Sequence, residues 1–567
     1  MRKKAVAGLA AALFLTASWG ASKAARKDAA KAATFSKPLS PDQRIEQALN
    51  RLTFGPRPGD AQAVKAMGLK KWIDAQLHPS GIPENLALEA KLKSLDTLQM
   101  TSDEIVMDYP PPQVAQRMVS GQLPLPEDPE RQVEIRKIAE RAGKAQAQGQ
   151  PPARQLAPAD IFTPAQIRAL RQGTAEQRME VFNGLPSEKQ DQVIESMPAV
   201  RQVLYDAAPP ALRRRIDVAG GPAQIPVRDL MEAKMLRAVM SNRQLEEVLT
   251  DFWFNHFNIY LDKGADRFLI TEYEREAIRP HVLGKFRDLL EATAKSPAML
   301  FYLDNWESVG PAPGPLRAKS NQPRRGLNEN YGRELLELHT LGVDGGYTQK
   351  DVTEVARCFT GWTILQPQLG GSFIFNARAH DNGEKTVLGV KISAGGGQTD
   401  GEKALDIVAR HPATAHHISW ELAQRFVADD PPPSLVNRMA RTFLKTDGDL
   451  RAVMQTMLNS KEFWSTDAYR TKVKSPLELV ASAVRAEDGQ VDYALGLVNQ
   501  VAQLGEPLYR KQEPTGYSNA GKDWLNTAGL VGRMNFGTQL ADNRIAGVKA
   551  GSALPGTALG APDFQKH

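Results

Sequence analysis

Apolar residues recur every three or four positions along most of the chain, which is the spacing of amphipathic α-helices. Leu245, Leu249 and His256, for example, fall on one helical stripe. Apolar and polar residues alternate only over a short stretch, which predicts a small β-hairpin or sheet near residues 363–393. The pattern therefore predicts a mainly α fold with a multi-helix globular architecture.

Shifts in composition and turn residues divide this helical pattern into segments. A basic start, an apolar run and small residues near Ala24 are typical of a signal peptide, so we expect export to the periplasm or the extracellular space. An uncleaved anchor is the alternative. No later run is apolar for long enough to span a membrane. The predicted segments are a signal peptide at 1–24, a flexible mature N-terminus at 25–40, an N-terminal helical segment at 41–108, a Pro/Gln-rich insertion with short-helix repeats at 109–225, the main helical domain at 226–540 and a flexible tail at 541–567.

The repeats inside the insertion have a period of roughly 11 to 12 residues, the spacing typical of short repeated helices. TPAQIRALRQG and TAEQRMEVFNGL each begin with a capping residue and carry apolar residues near their ends. Helices this short are unstable alone, so they must pack against something. A spacer or docking arm and a binding surface are both consistent with the pattern.

Charge and cysteine content narrow the class of protein. The net charge of +6 over 567 residues is small, and the basic and aromatic residues are not interleaved as in nucleic-acid-binding proteins. We therefore expect no nucleic acid partner. Cys358 is the only cysteine, so the chain has no internal disulfide. Its apolar neighbours favour a small buried side chain over a nucleophile.

The densest group of polar residues lies at residues 328–362, which we call the signature segment. Asn330, Glu334 and Glu337 fall on one helical stripe, so both carboxylates point the same way. Such a pair can hold a metal or share a proton, and Arg333 can equally neutralise Glu337. After the loop, Thr348 begins the next helix with a capping-box pattern.

Other polar residues extend this candidate site. His256 lies on an apolar helical face, where a hydrogen-bonded core histidine competes with a ligand or an acid–base group. His380 and Asp381 fall at the predicted hairpin, where a solvated turn is the alternative. The candidates are Glu334, Glu337 and His256 as catalytic residues; Asn330, Arg333, His339, Asp344, His380 and Asp381 as binding residues; and His256, Glu334 and His339 as ligands if the cofactor is a divalent metal.

Two late stretches leave their roles open. His416 and His417 are adjacent on a predicted helix, so they point in different directions and do not easily share a metal. The stretch around Tyr517, Trp524 and Arg533 is rich in glycine, and it either lines a groove or caps the core.

The chain resembles a bacterial family known as domain of unknown function 1800, because several motifs occur in the same order. These motifs are FWFNHFNIY, the signature segment and KVKSPLELVASAVRA. The resemblance runs from about Asp42 to Thr538. It implies an exported, largely helical protein that acts with a sulfatase-like envelope partner, and it carries no assigned catalytic residues.

Three hypotheses about function remain open at this point. The polar residues form a pocket that is metal-dependent or hydrolytic, or they brace a non-enzymatic factor that works with the envelope partner. Alternatively, the protein is a carbohydrate-acting hydrolase, which needs two acids about 5 to 9.5 Å apart across a cleft. Phosphate loops, G-x-S-x-G elbows and H-E-x-x-H motifs are absent from the sequence, so the corresponding enzyme classes are disfavoured.

Overall fold

The predicted signal peptide and residues 25–34 lie outside the part of the chain that the computed structural model describes. That part comprises residues 35–148, 156–311, 326–525, 527–551 and 554–567.

Helices dominate the described residues, as the apolar spacing predicts. In chain order, the α-helices are α1 Pro41–Leu52, α2 Asp60–Met67, α3 Leu69–Leu77, α4 Leu86–Lys93, α5 Ser102–Asp108, α6 Pro112–Val119, α7 Pro129–Gln148, α8 Pro164–Gln172, α9 Ala175–Asn183, α10 Ser187–Ser196, α11 Pro198–Tyr205, α12 Pro210–Gly220, α13 Ile225–Met240, α14 Gln244–His256, α15 Asp266–Glu272, α16 Phe286–Lys295, α17 Pro297–Tyr302, α18 Asn330–Glu334, α19 Gln349–Cys358, α20 Thr399–Ala409, α21 Pro412–Phe426, α22 Pro433–Lys445, α23 Leu450–Leu458, α24 Pro476–Ala486, α25 Leu495–Gln503, α26 Thr527–Ala541 and α27 Gly556–Leu559.

Two of these helices continue into a wider π-helical turn. Tyr273–Ile278 follows α15, and Leu335–Thr340 follows α18 inside the signature segment. Such turns are rare and are frequent at functional sites. Short 3-10 turns lie at Pro79–Gly81, Asp96–Leu98, Pro158–Asp160, Pro222–Gln224, Arg279–His281, Asn305–Glu307, Pro367–Leu369 and Gly521–Trp524.

Among the residues that the structure describes, the β structure consists of three antiparallel strand pairs. Trp362–Ile364 (β1) pairs with Phe373–Phe375 (β2), and Lys385–Val387 (β3) pairs with Val390–Ile392 (β4). These two hairpins lie in the predicted region, so a mainly α fold with small β elements is confirmed. The third pair joins Gln490–Val491 (β5) to Val548–Lys549 (β6).

One large hydrophobic core joins the N-terminal helices to the main helical region. Trp253 on α14 is fully buried there, and its ring packs against Phe257 and Phe286. Cys358 is also buried, and burial raises the pKa of its thiol to about 12. The prediction that Cys358 is an inert core residue agrees with this environment.

The repeats at 156–220 form a helical arm, α8 to α12, with a separate small core. Thr163 and Thr174 cap α8 and α9 through capping boxes, which explains why each repeat begins at a small polar residue. Phe182 and Leu204 are buried in the arm core together with Tyr493 from the main region. The short helices therefore stabilise one another, as their length requires.

The described part of residues 541–567 packs against the core, which differs from the predicted flexible tail. Strand β6 pairs with β5, and Lys566 bridges Val473. Arg533 on α26 donates hydrogen bonds to Gln565 and to the carbonyl of Lys474. The Gly- and Ala-rich composition suggested flexibility, but backbone pairing with distant segments holds the tail in place.

Within the described residues, no helix has the length and apolar character that a bilayer-spanning segment needs.

Candidate functional site

The π-helical turn of the signature segment is held by two histidines. A helix end leaves backbone carbonyls without partners inside the helix. The Nε2 atom of His256 lies 3.2 Å from the carbonyl oxygen of His339, and the Nε2 atom of His417 lies 3.3 Å from that of Leu338. The two imidazole rings therefore cap the carbonyls at the end of this turn.

A carboxylate joins these histidines. Glu421 on α21 places Oε2 2.6 Å from Nδ1 of His256 and Oε1 3.7 Å from Nε2 of His417. Nδ1 of His256 thus faces a carboxylate oxygen, and its Nε2 faces a backbone carbonyl oxygen. Burial disfavours the carboxylate of Glu421, but His256 and His417 together outweigh the burial and lower the pKa of Glu421.

This arrangement removes His256 and His339 as acid–base candidates. His256 has no free nitrogen with which to accept a proton from a substrate. Burial lowers the pKa of His339 to about 3, and its Nε2 atom has no hydrogen-bond partner among the described residues. The two rings do converge, with centroids 6.2 Å apart. They brace the core rather than face a cleft.

The acids of the signature segment lie outside this cluster. Glu334 is half-buried, and burial together with Glu337 raises its pKa. Glu337 contacts Tyr347, whose hydroxyl lies 3.3 Å from its carboxylate. The prediction that Arg333 neutralises Glu337 is wrong, because Arg333 pairs with Glu329 on the preceding turn. The other predicted binding residues here, Asn330 and Asp344, are exposed.

His380 and Asp381 are buried instead of lying in a solvated turn. Asp381 Oδ2 lies 2.7 Å from Nε of Arg357, and this contact, against the cost of burial, lowers the pKa of Asp381. His380 contacts Asp400, which also binds Lys385. His380 therefore does not join His256, because the two histidines belong to different buried clusters.

In the described chain, no three His, Cys, Asp or Glu side chains are arranged to hold a metal ion. The proposed ligand set of His256, Glu334 and His339 does not form such a group, and Glu334 interacts with Glu337 instead. The described residues therefore provide no site of this kind for the proposed divalent metal.

A narrow cleft with a cavity volume of about 50 Å³ opens beside this braced region, under the loop formed by residues 505–525. We call this loop the cover loop. The cleft is lined by three of the sequence motifs at once: FWFNHFNIY, KVKSPLELV and the glycine-rich stretch around Tyr517. The groove interpretation of that stretch is therefore the one that the structure supports.

Two asparagines fasten the cover loop to α14. Asn255 donates to the carbonyl of Tyr517 at 2.7 Å and accepts from its backbone N–H at 2.6 Å. Asn258 donates to the carbonyls of Lys511 and Glu513. Gly516 has a φ of +66°, and a Cβ there would lie 2.3 Å from the carbonyl oxygen of Asn255, so this close approach requires glycine.

Charged side chains line the cleft in pairs. Lys234 and Asp251 are 2.6 Å apart, and Arg425 and Glu478 are 2.5 Å apart. Burial disfavours the Glu478 carboxylate, yet Arg425, His567 and the backbone N–H of Ser475 together outweigh the burial and lower the pKa of Glu478 to about 2. These partners neutralise one another, so the walls carry little net charge.

Glu506 is the exception among the acids. Its Oε2 atom accepts a hydrogen bond of 2.8 Å from the backbone N–H of Leu477, and burial, reinforced by nearby Asp251, raises its pKa to about 8. Burial also lowers the pKa of Lys472 to about 8. Groups that titrate near neutral pH inside a cleft are typical of acid–base sites.

Sequence reasoning missed Glu506, Asp251 and Glu421. The i, i+4 spacing of His417 and Glu421 is a signal that was present on one helix. Glu506 gives no such signal, because its pKa depends on packing between segments that are far apart in the chain.

Replacing Glu421 with Gln should lower the free energy of unfolding by about 3 to 5 kcal/mol, because the buried side chain of His256 loses its ion-pair partner. The lowered pKa of Glu421 means that its contribution is present above its ordinary value of 4.5 and is lost as the pH falls below that value. Chemical denaturation from pH 3 to 8 measures this. Glu384→Gln, in an exposed pair with Lys391, is the control and should change little; equal effects would contradict the account.

Replacing Glu506 with Gln should raise the free energy of unfolding at pH 7 by about 3 kcal/mol. Its folded pKa of about 8 lies above its ordinary 4.5, so the wild type loses stability as the pH rises between these values. Gln keeps an acceptor for Leu477 and does not titrate. Glu462→Gln, which removes a buried carboxylate paired with Arg438, should instead destabilise. A Glu506→Gln protein less stable than the wild type at pH 7 would contradict the raised pKa.

Comparison with known proteins identifies the family to which this fold and cleft belong. No curated protein and no solved structure matches the chain. A family model described as "Protein of unknown function (DUF1800)" matches residues 47–563, which is nearly the whole chain and includes every segment that lines the cleft. The chain therefore belongs to the DUF1800 family of proteins of unknown function.

Proposed function

We propose that the protein is an exported, carboxylate-based hydrolase that acts on an extracellular polymer or carbohydrate in the cleft under the cover loop. The observation that carries this proposal is Glu506, a buried carboxyl group with a pKa of about 8 that lines the cleft. Near neutral pH such a group holds its proton and can donate it to a leaving group.

Asp251 supplies the complementary carboxylate. It forms an ion pair with Lys234 at 2.6 Å, whereas burial raises the pKa of Glu506 so that this residue keeps its proton. Glycoside hydrolysis uses two acids, of which one is protonated and the other is ionised because their environments differ. Glu506 would protonate the leaving oxygen, and Asp251 would stabilise positive charge or activate water.

The mouth of the cleft favours a carbohydrate. Tyr517 and Trp524 line it with ring centroids 5.9 Å apart, and both are half-buried. Aromatic faces bury large areas, as the flat faces of sugar rings require. The paired charges on the walls also suit a neutral polar substrate better than a strongly charged one.

The activity should require Glu506 in its protonated form. Reducing-end release from soluble polysaccharides, together with 4-nitrophenyl glycosides, should show kcat/KM falling as the pH rises through about 8, the pKa of Glu506. Glu506→Gln should lower kcat/KM by about 10²- to 10⁴-fold. Glu334→Gln, in the signature segment, is the matched control and should retain activity. Activity that persists in Glu506→Gln, or that depends on Glu334, would contradict this assignment.

Partnership with a sulfatase-like envelope protein is the second candidate function. One observation favours it: α26 exposes Leu530, Val531 and Met534, each more than two-fifths accessible, close to Leu525 at the end of the cover loop. Contiguous exposed apolar residues are typical of interaction surfaces. This surface could place a partner beside the mouth of the cleft.

Val531→Ser combined with Met534→Ser should reduce co-purification of the tagged chain with a co-expressed sulfatase-like protein by at least about tenfold. Leu444→Ser, which changes an exposed apolar residue on α22, is the control and should leave the yield of complex unchanged. If the wild type itself recovers no partner, or if the control is equally weakened, the docking proposal is wrong.

A further inference from the structure

A second buried cluster, separate from the cleft, contains Lys385, Asp400 and His380. The Nζ atom of Lys385 lies 2.7 Å from Oδ2 of Asp400, and both side chains are 0% exposed. Lys385 precedes the turn of the second hairpin, whereas Asp400 lies in the first turn of α20. The contact therefore joins two elements that are otherwise separated by a loop.

The surroundings fix the reacting atoms in place. The carbonyl oxygens of Asp381 and Gly383 accept hydrogen bonds from Nζ of Lys385. The other carboxyl oxygen of Asp400, Oδ1, has no hydrogen-bond partner within the described residues. A Cβ at position 396 would lie only 1.9 Å from this oxygen, so Gly396 leaves it just enough room. An amine and a carboxyl group are thus held together in a fully buried site.

His380 is placed to move a proton between them. Its Nδ1 atom lies 2.7 Å from the carbonyl oxygen of Thr360, so Nδ1 donates and Nε2 carries the lone pair. That Nε2 atom is 3.2 Å from Oδ2 of Asp400 and 3.5 Å from Nζ of Lys385. It can therefore take a proton from the amine and deliver it to a carboxyl oxygen.

We propose that Lys385 and Asp400 form an intramolecular isopeptide bond, with His380 as the proton carrier. An ammonium–carboxylate pair and a neutral amine–acid pair hold the same number of protons, so transfer of one proton through His380 supplies the amine and the acid that react. The amine nitrogen attacks Cγ of Asp400, an N–C bond forms, and one C–O bond breaks. The departing oxygen leaves as water, with one proton from the amine and one from the acid, so no oxidant or co-reactant is needed.

Proximity makes such a reaction feasible. Groups held in contact with the correct orientation react as though at very high concentration, up to about 10⁵ to 10⁸ M in favourable cases. A lone cysteine excludes an internal disulfide in this chain, so an isopeptide bond would be its covalent cross-link. It would tie the second hairpin to α20.

Mass spectrometry of the denatured wild-type chain tests the bond directly. Proteolysis should yield one branched peptide containing Lys385 and Asp400, lighter by one water, about 18 Da, than the sum of its two linear peptides. Asp400→Asn should react with loss of ammonia, about 17 Da, and Lys385→Met should abolish the branched peptide. The exposed Lys391–Glu384 pair, 3.1 Å apart, is an internal control that should remain unlinked.

His380→Gln should slow formation of the branched peptide during refolding by at least about tenfold, because the proton carrier is lost. If proteolysis of the folded wild type yields only linear peptides, the proposal is wrong, and Lys385 and Asp400 form only a buried ion pair. A branched peptide that forms at the wild-type rate in His380→Gln would overturn the role of His380. Neither result depends on hydrolase activity.

Discussion

The rest of the structure depends on the buried pair between His256 and Glu421. This pair links α14 to α21, and through its second nitrogen His256 also holds the carbonyl of His339 in the π-helical turn. Three segments that are far apart in sequence therefore meet at one imidazole ring. A buried pair of this kind stabilises only when both partners are present, since removal of one leaves an uncompensated charge. Substitution of either His256 or Glu421 is therefore expected to destabilise the fold.

The cleft follows from this constraint because the same two helices supply its walls. Asp251 and Asn255 lie on α14 within two turns of His256, and Arg425 lies one turn beyond Glu421 on α21. The remaining wall is formed by the segment at 472–475, which the residues at 565–567 hold by backbone pairing. A rigid frame thus surrounds Glu506, whose burial raises its pKa. Burial of Glu506 costs folding stability, and the same burial gives this residue the raised pKa that its proposed chemistry requires.

Much of the fold could be predicted from the sequence, because periodicity and capping are local properties. Thr348, for example, caps α19 through Asp351 as its spacing indicates. The candidate site was harder to predict, because burial and partners are set by tertiary packing. His256 and His339 look like ligands in sequence, but Nε2 of His256 faces a backbone carbonyl, and Nε2 of His339 is buried without a hydrogen-bond partner among the described residues. In the sequence Glu506 is an ordinary glutamate in a loop, and only its burial in the folded chain raises its pKa.

The central claim is that Glu506 carries its proton at neutral pH inside the cleft. Infrared difference spectroscopy of the wild type against Glu506→Gln isolates the stretching band of this one protonated carboxyl group. The account predicts that the band is present at pH 7 and disappears as the pH rises through about 8. A band that has already disappeared by about pH 5, as for an ordinary glutamate, would contradict it.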